Sequence, residues 1–94
     1  MRTITVTLTA EMDQYHEDIS KFLDLMVHKL HKNVHKGRWE SLNARKAYIC
    51  LEDEVRELYD AIQSGDNSEV FLECADVANF AMIIASITRD RPNG

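Results

Sequence analysis

What this chain lacks narrows its function before any motif is read. No stretch approaches the roughly 20 apolar residues that span a bilayer, and the segment behind Arg2 is too short in apolar residues for a signal peptide. The expected location is therefore cytoplasmic, with no membrane partner. There are 2 cysteines, Cys50 and Cys74, without the spacing of a zinc site or a redox pair, and their apolar neighbours suit reduced, buried thiols. A broad positive field is missing as well. The formal net charge of −5 makes nucleic acid an unfavoured partner, although most of the Lys and Arg fall between Lys21 and Lys46. Internal repeats and low-complexity runs are absent. At 94 residues the chain, 1–94, is a single domain near the small end of sizes that fold without staples, and a partner subunit would add core.

What is present reads mainly as helix. Thr3, Thr5 and Thr7 alternate with Ile4, Val6 and Leu8, the period of a half-buried strand, so residues 1–10 are expected as a short extended arm. One strand alone is unstable and must lie on the helices or pair with a second copy. Over 11–36 the apolar residues Tyr15, Ile19, Phe22, Leu23, Met26, Leu30 and Val34 mark a first helix that Gly37 stops. A loop with the single tryptophan, Trp39, leads to a second helix over 43–63, which Ser41 or Asn43 can cap. The turn formers Ser64 to Ser68 follow, and Asp66 with Glu69 has the form of a capping box for a third helix over 67–88. Residues 89–94 are expected as a polar tail.

The second helix has a stripe at Ala44, Tyr48, Leu51, Val55, Leu58 and Ile62 that is expected to be the core seam. Beside it runs another, Ala47, Cys50, Glu54, Glu57 and Ala61, whose small apolar residues place the two glutamates against protein too. In the third helix Glu73 and Asp76 open a row continued by Phe80, Ile83 and Ile87, so these acids share the face that becomes core one turn later. A short turn makes the two helices an antiparallel hairpin, and the acid pairs meet. Carboxylates so crowded raise one another's pKa unless a cation lies among them. An all-oxygen donor set favours Mg²⁺ or Mn²⁺, and the ligands such an ion adds most readily are phosphate oxygens. Acid pairs at this spacing are also common on solvated helix faces; two pairs in line with core residues are what set these apart.

The run Glu54-x-x-Glu57-Leu58-x-x-Ala61-Ile62, then Gly65-Asp66, then Glu73-x-x-Asp76-Val77, resembles the MazG-like all-α nucleoside triphosphate pyrophosphohydrolases over roughly Lys21 to Ala85. The resemblance implies an all-α bundle of three main helices, completed by dimerisation into a four-helix-like bundle, as a homodimer or homotetramer. It implies Mg²⁺ on Glu54, Glu57, Glu73 and Asp76, and cleavage of a nucleoside triphosphate substrate to monophosphate and pyrophosphate. Trp39 resembles a loop tryptophan that packs on the nucleobase in some relatives; equally, it can close a core. Two positions depart from the family's usual pattern without removing a ligand: Asp53 stands where a glutamate often precedes Glu54, and Ala75 where a glycine often precedes Asp76.

Among the acids Glu57, with Glu54, is the expected catalytic group, Glu57 as base. Arg45 and Lys46, about two turns before Glu54, can reach distal phosphates, or decorate a solvated helix start. Asn79, three residues past Asp76, can hold a substrate group or bond to another helix. Tyr48, Tyr59, Phe71 and Phe80 are expected in the core, Phe80 being the best placed of them to meet a substrate. Asp24, His28, His31 and His35 share one face of the first helix at a spacing that can chelate a transition metal, and read equally as part of an exposed basic face with Lys21, Lys29, Lys32 and Lys36. Asp13 and His16 have no matching partner, which argues against a di-iron bundle. Two rival functions stand beside the hydrolase: a non-catalytic helical dimer that binds a nucleotide or a protein partner, and a nucleic-acid contact through the Lys29 to Lys46 region.

Overall fold

A computed structural model describes residues 2–33 and 41–90. The expected site residue Trp39, the helix end at Val34 to Lys36 with His35, the stop at Gly37 and the last part of the tail lie outside the described residues. Within them the chain is all helical: a 3-10 segment Ala10–Tyr15, then α1 His16–Asn33, α2 Ala44–Ser64 and α3 Asn67–Asp90. The first helix therefore begins as tighter 3-10 turns, and α3 takes in the start of the expected tail. Residues 2–9 carry no regular secondary structure. Ile4 is 81% exposed and Leu8 half-buried, because a lone alternating segment finds no strand within the described residues to pair with.

Local chemistry fixes the hairpin. The Asn43 side chain accepts from the backbone N–H of Lys46 at 2.8 Å and so caps α2. Gly65 ends that helix with φ of 76°, the left-handed conformation that costs a residue with a Cβ, and its N–H donates to the carbonyl of Ile62 at 3.2 Å. One residue later Asp66 accepts from the N–H of Glu69 at 3.1 Å and starts α3. With so short a connection α2 and α3 must fold back on each other, and theirs is the principal packing, with α1 laid on α3.

The seam between α2 and α3 is not the one the apolar pattern suggests. Ala47 and Ala61 are the buried residues of α2, with Leu51, Glu54 and Leu58 half-buried between them. Tyr48 (54% exposed), Val55 (47%) and Ile62 (54%), expected as core, face outward, as do Tyr59 and Phe71. Small residues explain the choice: Ala47, Ala61 and Ala75 let the backbones approach closely, and the larger side chains are turned away from the contact. The core is accordingly thin, built on Ala47, Ile83 and Ile87 with Leu42, Phe80 and Ile84 against them. In α1 the half-buried face is Ile19, Phe22, Leu25, Met26, Lys29 and Leu30, while Tyr15 and Leu23 are exposed.

One expectation about membranes also needs correcting. The stretch Asn67–Arg89 is long and apolar enough, by length and composition, to cross a bilayer. It nevertheless carries Glu73, Asp76 and Asn79, groups that are costly in hydrocarbon, and it meets both other helices through that side.

Candidate metal centre

α2 brings Glu54 and Glu57 to the hairpin seam and α3 brings Glu73 and Asp76. Carboxylate oxygens of Glu54, Glu57 and Glu73 all lie within 4.8 Å of one another. The arrangement follows from the thin seam: between the alanines at either end of α2, Glu54 occupies the contact row itself, and Glu57, three residues on, reaches round from the exposed flank. Oε2 of Glu54 and Oε2 of Glu73 are shut off from solvent and meet no hydrogen-bond donor. Orphaned oxygens of this kind are expensive, since a carboxylate out of water needs a proton, a donor or a cation.

Without a cation the cluster can use a proton. Burial, then a shared hydrogen bond with Glu73, then the charges of Asp76 and Glu57 push the Glu54 carboxyl up from 4.5 to about 8. Glu73 is also raised, chiefly by burial; its bond from Glu54 pulls the other way and the charges of Glu57 and Asp76 add to the rise. A proton on Glu54, donated to the Glu73 carboxylate, leaves the cluster with one bare charge fewer. The same two oxygens, with Glu57 beside them, form an all-carboxylate donor set suited to a hard divalent ion. The residues present therefore fit Mg²⁺ or Mn²⁺.

Asp76 stands apart from this trio in one respect. Its Oδ2 lies 3.2 Å from Nζ of Lys29, and both side chains are largely shielded, at 16% and 18% exposure. By sequence Lys29 belongs with the solvated basic face of the first helix. The signal that could have placed it is its position three residues after Met26 and four after Leu25, within the row that packs on α3.

The remaining sequence candidates divide clearly. Asn79 is buried, and its Nδ2 donates to the backbone carbonyl of Met26 at 3.1 Å, so its amide joins α3 to α1 while its Oδ1 is left buried and unpartnered. Arg45 and Lys46 are exposed on the first turn of α2. His28 and His31 are exposed, and among the described residues they belong to no group able to hold a metal. Cys50 and Cys74 are free thiols, half-buried rather than fully enclosed. No family model, no curated protein and no solved structure matches the chain.

Proposed function

We propose that the chain is a Mg²⁺-dependent nucleoside triphosphate pyrophosphohydrolase of the MazG-like kind, cleaving an NTP or dNTP to monophosphate and pyrophosphate, with Mn²⁺ able to substitute. The observation that carries this reading is the convergence of Glu54, Glu57 and Glu73 within 4.8 Å, two of them with buried oxygens that lack a donor. The motif resemblance supplies the substrate class. Glu54, Glu57, Glu73 and Asp76 would hold the ion, which when bound supplies charge neutralisation for the triphosphate and a more acidic water.

The chain's own groups do the rest. Glu57 is the exposed member of the trio, so it is the carboxylate best able to accept the proton of an attacking water. Glu54 and Glu73, held in the packed seam, keep their oxygens fixed with little reorganisation, which is the condition for strong electrostatic stabilisation. Arg45 and Lys46 begin the same helix about two turns before Glu54, and Lys46, nearer to Glu54 in helical phase, is the better placed of the two to meet a distal phosphate. Trp39 is assigned to the base on the resemblance alone. Asn79 acts through position, tying α1 to the acid-bearing face of α3.

The assay is pyrophosphate release from a panel of ribo- and deoxynucleoside triphosphates, with Mg²⁺ or Mn²⁺ and with EDTA, in wild type and Glu54→Gln. Metal-dependent release that the variant lacks supports the reaction, and the panel names the base. Metal binding with no release from any nucleotide would transfer the reading to the alternative, a non-catalytic helical dimer that binds a nucleotide or protein. The exposed apolar side chains of α2 are the feature favouring that alternative, and in either case the partner we assign to them is a second copy of the chain.

A further inference from the structure

A cation already lies beside the acid cluster, and it comes from α1, outside the hairpin. Lys29 projects from α1 and pairs with Asp76 of the hairpin at 3.2 Å in a largely shielded position. Its placement is held from the backbone: the Asn79 bond to the Met26 carbonyl fixes α1 on α3 one turn before Lys29. The contrast with Lys21 is direct, since that residue pairs with Glu17 of its own helix and both are more than half exposed. A lysine stem of four carbons is costly to order, so a shielded lysine paired with an acid at the edge of the cluster calls for an account.

One ammonium cannot neutralise four carboxylates, and it satisfies only Asp76, leaving Glu54 and Glu73 with orphaned oxygens. A divalent ion carries twice the charge and accepts several oxygens at once, so it competes for Asp76 on better terms. Once Asp76 turns to the ion, the ammonium is left beside a site that attracts phosphate. We propose that Lys29 is an internal counter-ion that holds Asp76 in the metal-free protein, yields it when the divalent ion binds, and then grips the triphosphate. This rests on the metal-site reading above and assigns a substrate-positioning residue within it. The exchange keeps one positive partner near Asp76 at every stage, and makes a phosphate contact available only after the ion is in place.

The test separates the two readings by measuring Mn²⁺ affinity without nucleotide, by calorimetry, in wild type, Lys29→Met and Lys29→Arg. Removing a competing neighbouring charge should tighten Mn²⁺ binding about tenfold or more in Lys29→Met, the size of effect one adjacent charge has on a carboxylate, and leave Lys29→Arg near wild type. The KM for the nucleotide should rise in Lys29→Met while kcat falls less. A purely structural lysine would give the opposite metal result, because its loss disorders Asp76 and weakens binding. Should Lys29→Met fail to fold, the ¹⁵Nζ resonance of Lys29 in the wild type answers the same question: it should lose its protection from exchange on Mg²⁺ addition and regain it when a non-hydrolysable triphosphate analogue is added. Mn²⁺ bound no tighter by a folded Lys29→Met, or a resonance unmoved by bound Mg²⁺, overturns the counter-ion role alone. Absence of any metal binding in the wild type overturns the metal centre and this role with it.

Discussion

Glu54 and Asp76 are both acids of the same cluster, yet their neutralisation should have opposite effects on the metal-free protein. Glu54 suffers from burial and from its neighbours' charges, whereas Asp76 has Lys29. Because the folded protein holds the Glu54 proton up to about 8 while an unfolded chain releases it near 4.5, the native state binds more protons between those values. This group's contribution to stability is therefore full below 4.5 and is lost as pH rises through 8. Glu54→Gln should then change the melting temperature little at pH 4, raise it at pH 6, where the fold already takes up a proton that the unfolded chain releases, and raise it most, by several degrees, at pH 9, where the wild type must carry the charge. Asp76→Asn leaves a shielded ammonium without its partner and should lower the melting temperature by several degrees at neutral pH, since about 1 kcal/mol moves a chain of this size by about 4–8 °C. Thermal melts in EDTA check both, and a fall for Glu54→Gln at pH 9 would count against the crowded-acid picture. In the turnover assay each substitution should cost more than about 100-fold, beyond the loss a merely supporting residue produces.

Among the elements, those marked by local chemistry were legible from the sequence, and those decided by packing were less so. Asn43, Gly65 and Asp66 each do at the helix ends what their side chains or lack of one suggest, because a cap or a left-handed residue needs only its own few neighbours. Three of the four acids, Glu54, Glu57 and Glu73, come together as their spacing on a short hairpin suggests, while Asp76 turns to Lys29 instead. The seam was not legible. Two adjacent stripes on α2 compete for α3, and hydrophobicity favours Tyr48, Val55 and Ile62, but close approach of the backbones favours Ala47 and Ala61. Lys29 was lost in the same way, by being counted with the lysines around it rather than with Leu25 and Met26. The turn offers a measure of how much the local signals contribute: Gly65→Ala should cost about 1–2 kcal/mol in urea unfolding, and Gly65→Asn less, because a Cβ there meets no atom within 4 Å and the penalty is backbone conformation alone.

For the molecule as a whole the decisive quantity is surface. The chain exposes 7661 Å², whereas a compact monomer of its 10.8 kDa would expose about 5,500 Å². Part of the difference lies in residues 2–9, where Ile4 and Val6 are open to solvent. Another part lies on α2, where Tyr48, Val55, Tyr59 and Ile62 repeat at helical spacing on the side away from α3. Stable interfaces bury roughly 800 Å² per partner, and the row of large exposed side chains on α2 is the apolar patch suited to contribute to one. Two copies joined through α2 would form a four-helix-like bundle with the acid clusters outside the contact, because those acids sit on the neighbouring stripe that packs toward α3. The wild type should therefore sediment as a dimer at micromolar concentration and melt at a temperature that rises with protein concentration. A charge at the centre of the α2 face, as in Val55→Glu or Tyr59→Lys, should shift it to monomer and remove that concentration dependence. Mn²⁺ affinity per chain should change far less than the oligomeric state does, since each set of four ligands comes from one hairpin. A wild type that sediments as a monomer across the micromolar range would leave the exposed face of α2 to a different partner, and a variant that stays dimeric would move the interface to another part of the chain.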